Sequence, residues 1–171
     1  PITLRTEEVV LKDMGVEKML CDTVALVNQE KLTATFPVDT TFTSLGADIK
    51  LGGGKARLAP LRAALPGVAL TGKGVLDLLS QVFDATFEAR LSPELEEIDP
   101  ACRINERITG IDWPVDCEGS LSGDPGEWCK VDSGDIIEDL AKQEATRKVS
   151  KEVERKFGKE AGDALNKLLG R

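Results

Sequence analysis

Four features of this 171-residue chain invite a chemical reading. The first is a set of cysteines at 21, 102, 117 and 129. None lies in a C-x-x-C pair, so neither a zinc site nor a dithiol redox site is spelled out. An even count, with three inside 28 residues, fits two disulfides in an oxidising compartment. The competing reading is a set of buried thiols in a reducing cytosol. Three pairings are open. If Thr109-Gly110 turns a hairpin, Cys102 faces Cys117 and Cys21 is left for Cys129. A Cys117–Cys129 bridge across Gly123-Asp124-Pro125-Gly126 competes with it.

The second feature, Gly67-Val68-Ala69-Leu70-Thr71-Gly72-Lys73-Gly74, fits G-x-x-x-x-G-K, but Gly stands where Ser or Thr would hold Mg²⁺. It also falls inside an alternating strand, where glycines ease twist and close approach. The third, Gly119-Ser120-Leu121-Ser122-Gly123, has leucine at the place of a nucleophilic serine. No histidine exists anywhere to activate a serine. The fourth, Glu94, Glu96, Glu97 and Asp99, lacks the loop spacing of a calcium site and reads as a solvated acidic loop. Thirty acidic residues also guarantee chance carboxylate pairs, and nothing singles one out. The expectation is therefore no catalytic residue, no metal site and no cofactor. A net charge of −8 argues against nucleic acid as a partner.

The elements that would position any site are mostly strands. Residues 8–14 read as a strand and 17–29 as a short helix, from Met19, Leu20, Thr23, Val24 and Val27. Leu32, Ala34, Phe36 and Val38 alternate with polar neighbours, followed by Thr40-Thr41-Phe42-Thr43. A hairpin turns at Gly52-Gly53-Gly54, residues 59–65 make a link around Pro60, and Pro66-Gly67 turns again. Val68, Leu70, Gly72, Gly74 and Leu76 share one strand face. Phe83, Ala85, Phe87, Ala89 and Leu91 oppose Asp84, Thr86, Glu88 and Arg90. Ile111, Trp113, Val115, Cys117 and Leu121 oppose Asp112, Asp116 and Glu118. Alternation of that contrast marks a sheet with one dry and one wet face. Pro114, on the wet side, suits an edge or bulge better than a central rung. Residues 128–131 pair back as a last strand.

From 135 to 169 the period returns to 3.6, with Ile136, Ile137, Leu140, Val149, Val153, Phe157, Ala161, Ala164, Leu165 and Leu168 in a stripe and Gly158 and Gly162 as breaks. The domain reading is a sheet domain over 1–133 and an amphipathic, charged helix over 134–171. About seven one-sided strands outnumber the helices available to cover them. Either the sheet curls on itself around a core, or its dry face is an open trough that receives something greasy.

The order of these pieces resembles the C-terminal end of bacterial AsmA-family proteins. The likeness is carried by residues 45–58, then Leu65-Pro66-Gly67 through Gly72-Lys73-Gly74 to Leu78, and above all by the tail: Pro100-Ala101-Cys102, Ile111-Asp112-Trp113-Pro114-Val115, Cys117-Glu118-Gly119, Trp128-Cys129 and Ile136-Ile137-Glu138. It covers roughly 16–169. Such proteins are similar to TamB and other chorein-like proteins. The resemblance implies a strongly curved, mostly antiparallel U-shaped sheet in an α+β fold, and a periplasmic position. It also implies an inner-membrane anchor outside this chain, which begins at Pro1 rather than Met as a trimmed fragment would. The implied role is non-enzymatic phospholipid transport supporting outer-membrane assembly. Val68, Leu70, Phe83, Phe87, Ile111, Trp113 and Val115 are the expected lipid-groove residues. The alternative is a protein-interaction cap, with the 135–169 helix docking an inner- or outer-membrane protein.

Overall fold

A computed structural model describes residues 2–168 as an α+β chain of two compact units, one ending at Ser133 and the other beginning at Gly134. The first unit runs β1 (Ile2–Leu11), α1 (Val16–Asn28), β2 (Thr40–Gly52), β3 (Lys55–Leu65), β4 (Val68–Asp77), β5 (Val82–Leu91), β6 (Asp112–Ser120) and β7 (Cys129–Val131). Each strand pairs antiparallel with the next, so the seven form one meander with β1 and β7 as edges. The tight turns come from local chemistry. Gly53 (φ 58°) and Gly54 (φ 72°) supply the two positive φ values of the β2–β3 hairpin, and Gly67 (φ 77°) that of the next turn.

Register makes the dry face continuous. Leu58, Gly74, Ala85, Cys117 and Cys129 stand opposite one another across five strands, and so do Leu61, Gly72, Phe87, Val115 and Val131. The other face carries Lys73, Thr86, Asp116 and Lys130, with the Arg90 guanidinium donating to Asp112 at 2.6 Å. Residues 59–65 are not a link: β3 runs through a bulge at the cis Ala59–Pro60 bond, where register shifts by one against both neighbours. The extra residue keeps Ala56 and Leu58 on the same face as Leu61, Ala63 and Leu65. Pro114 sits where the short β7 runs out. Its carbonyl accepts the Asp132 N–H (3.0 Å), so a single ladder donor is lost there.

Two expectations fail. Residues 31–38 alternate in sequence yet form no strand, and Thr109-Gly110 turns no hairpin. Thr33 and Ala34 give their N–H groups to Asp99, and residues 101–105 are held by α1. The α1 thiol Cys21 bonds Cys102, which lies in the short 3₁₀ turn Pro100–Cys102. Asn28, at the helix end, donates to the carbonyls of Ala101 (3.2 Å) and Arg103 (2.9 Å) and accepts from Asn105 (2.8 Å). Cys117 is thereby left to pair with Cys129, directly across the β6–β7 ladder. The Cys102–Cys117 and Cys21–Cys129 pairing is excluded. Two disulfides place the chain in an oxidising, extracytoplasmic compartment.

The sheet is not strongly curled. Part of its dry side is covered instead by α1, whose Val16, Leu20, Cys21, Val24 and Ala25 form one buried stripe. The helix is bounded by left-handed residues at both ends, Gly15 (φ 56°) and Gln29 (φ 57°), and Glu30 N–H reaches back to the Ala25 carbonyl at 2.9 Å. The second unit is a pair of helices, α2 (Gly134–Phe157) and α3 (Lys159–Leu168), broken at Gly158 (φ 89°) and not at Gly162. Leu169 and the side chain of Leu165 lie outside the described residues.

Two measurements check this construction. A Cβ on Gly72 would meet the Thr86 carbonyl oxygen and the Phe87 ring, whereas one on Gly52 meets nothing within 4 Å. Gly72→Ala therefore costs about 1–3 kcal/mol in urea unfolding, and Gly52→Ala stays within about 0.5 kcal/mol of the parent. The Cys21–Cys102 bond spans 81 residues and Cys117–Cys129 spans 12. On chain entropy, replacing both cysteines by alanine costs about 4 kcal/mol for the long bridge and about 3 kcal/mol for the short one. Equal losses would contradict that ordering.

Candidate functional site: an apolar groove on the dry face

The side of the sheet that α1 faces holds a cavity of about 340 Å³ whose exposed lining is entirely apolar. Its floor comes from β2 to β6: Phe42 and Leu45, Leu58, Leu61 and Ala63, Leu70 and Leu76, Phe83, Ala85 and Phe87, then Val115. Leu11, Met14, Val16 and Met19 make the wall on the helix side. Trp128, Leu121 and the Cys117–Cys129 bridge make another. Two glycines shape the floor. Gly72 and Gly74 stand opposite Phe87 and Ala85, and the missing Cβ atoms let these side chains lie close over β4. Phe83 meets Trp128 edge to face with ring centroids 5.1 Å apart, fixing one end. The volume lies at the lower edge of the roughly 300–1,000 Å³ usual for small-ligand pockets.

The residues expected to form a lipid groove divide. Leu70, Phe83, Phe87 and Val115 line the cavity together. Val68 and Trp113 are buried in the core beside it, Trp113 completely, and Ile111 precedes β6, half-buried; none of the three lines the cavity. Sequence reasoning missed Phe42, Leu45, Leu58, Leu61 and the two methionines. A period of two hides the first pair because the burial of β2 changes phase between them: Thr40 and Phe42 are buried, then Ala47. The change lies beside Glu8 of β1, whose φ is 54°. Met14 was legible only as the end of a strand, Met19 only as part of a helix, and Trp128 only as part of a terminal strand.

The wall is held by polar bonds outside the cavity. Thr40 is fully buried, accepts the Val16 N–H (2.9 Å) and donates to the Glu17 carboxylate (2.9 Å), tying the start of α1 to the start of β2. Asp99, 1 % exposed, does the same for the stretch after the helix. One of its oxygens accepts the N–H groups of Thr33 and Ala34, both at 2.6 Å, and the Thr33 hydroxyl (3.2 Å). The other accepts Ala101 N–H at 2.8 Å. These bonds, Ala34 N–H first and Ala101 N–H next, hold the Asp99 carboxyl below the usual aspartate range against the opposing effect of burial.

Chemically the groove can bury apolar surface and little else. Among the described residues no cluster of cysteine, aspartate and glutamate could hold a metal ion, and no helix is long and apolar enough to cross a membrane. The indole N–H groups of Trp113 and Trp128 have no acceptor among the described residues. The motif at 67–74 lies in the turn before β4 and in β4 itself, and the acids at 94–97 in a 3₁₀ turn in which Glu94 accepts the Gly67 N–H at 3.1 Å.

A depressed carboxyl stabilises the fold above its ordinary titration near 3.8 and loses that contribution as pH falls through its lower folded value. Asp99→Asn is expected to lower the thermal midpoint at neutral pH. It should also shrink the fall in that midpoint seen between about pH 5 and pH 3. A parallel fall in both proteins would remove Asp99 from the account. No protein-family model, curated protein or solved structure matches the chain.

Proposed function

We propose that this chain is a non-enzymatic, periplasmic end piece of an inner-membrane-anchored protein of the AsmA kind, and that its groove takes an acyl chain of phospholipid in transit toward the outer membrane. The observation that carries the reading is the cavity: about 340 Å³, apolar throughout, on the dry face of a sheet whose other face is charged. A ligand held there gains from burial of its own apolar surface at about 25 cal/mol per Å². The lining exposes no polar surface to select among head groups, which suits a conduit for one class of chain more than a receptor for one molecule. The oxidised cysteines fit the periplasm as well as any other oxidising compartment. In this reading the U-shaped trough belongs to the longer protein, of which this sheet is the end, and α1 is a fixed stop that limits the cavity to about one chain.

Photo-crosslinking residues separate the two faces. A probe at Leu76, in the cavity lining, is expected to capture phospholipid in cells. One at Thr86, exposed on the opposite face, should capture none. Equal labelling, or labelling at Thr86 alone, would sink the reading.

A further inference from the structure

We propose that the helical unit beginning at Gly134 binds the surface of an anionic membrane through the tip formed by Phe157 and the cations around it. This inference does not rest on the groove. Val149, Val153 and Phe157 recur at four-residue spacing and share one side of α2 with Ser150. The turn at Gly158 brings α3 back against that side, but only in part. Gly162 seats on Ser150 and Glu154, so close that a Cβ there would lie 3.1 Å from the Glu154 Cβ. The stripe is thus covered along one flank and open along the other. Val149 is left 53 % exposed and Phe157 75 % exposed, and on α3 Leu168 is 84 % exposed. Val149, Phe157 and Leu168 together leave apolar surface uncovered on this unit.

The charges say what receives that surface. Six residues between 147 and 159 are cationic and two are acidic, in a chain whose net charge is −8. Lys156 and Lys159 flank Phe157 and Gly158 directly. Arg155 and Lys156 share Glu152, at 2.6 and 3.2 Å, but these pairs are exposed and exchange readily for lipid phosphate. An apolar side chain with Arg155, Lys156 and Lys159 beside it matches the boundary between acyl chains and anionic head groups, where lysine and arginine stems lie along the apolar layer and their ends reach phosphate. A protein groove would meet Phe157 equally well, but it would not call for the cationic excess between 147 and 159.

Flotation of the full chain with phosphatidylethanolamine vesicles, with and without phosphatidylglycerol, tests this at low and high salt. Binding is expected only with phosphatidylglycerol and is expected to weaken in salt. Phe157→Ser should reduce it roughly ten-fold, and Lys156→Gln with Lys159→Gln about five-fold per cation. Both changes fall on exposed positions, so circular dichroism should be unchanged. In Phe157→Trp the added emission should shift to the blue on vesicles and be quenched by brominated acyl chains. Absence of flotation, equal flotation of parent and variants, or an unshifted tryptophan would overturn the proposal. So would retention of a protein by the tip without vesicle binding.

Discussion

A sheet that is dry on one side has to be covered, and here the cover is smaller than the sheet. Seven strands at about 4.8 Å spacing span roughly 29 Å between the edge strands, while thirteen residues of α1 make a rod about 20 Å long and 10 Å across. Such a helix shields only part of the dry face. In a compact domain a second helix or a second sheet would lie beside it. The first unit has neither; it has a cavity bounded by α1 on one side and by Trp128 with the Cys117–Cys129 bridge on another. The shortfall in cover is the origin of the groove, and the bulge at Pro60 is what keeps the floor apolar across its full width.

A partial cover has to be held more firmly than a complete one, because it gains less from burial. The polar anchoring of α1 answers that need. Cys21 is bonded to Cys102, Asn28 is joined to the backbone beyond it, and Thr40 links the helix start to β2 through Glu17. Asp99 completes the set by accepting three N–H groups, two of them from the loop that leaves the helix. These attachments lie at both ends of α1 and on the side away from the cavity. They fix the wall without placing a polar atom in the lining.

Much of this was legible from residue order. The strands at 83–91 and 111–121, the helix at 17–29 and the break at Gly158 follow from period and from glycine placement. What misled were residues whose partners are distant in sequence. Alternation at 31–38 has the pattern of a strand, yet Thr33 and Ala34 give their N–H groups to Asp99, 66 and 65 positions on, and no strand partner is left for them. The cysteine pairing turned on the same fact, since only the docking of α1 against residues 99–105 decides that Cys102 faces Cys21. In the groove, period two found the floor from β4 to β6 but not the helix wall. It also failed where β2 changes phase and where β3 gains a residue.

The long disulfide makes a covalent ring of residues 21–102 that contains most of α1 and all of β2 to β5. Four of the seven strands therefore belong to one closed loop, threaded into the sheet between β1 and β6. Cutting the backbone anywhere inside that loop leaves the two pieces joined. In an oxidising compartment that keeps the bond intact, a single nick in an exposed turn such as Gly52-Gly53 would leave the groove's main strands covalently together and able to pair again.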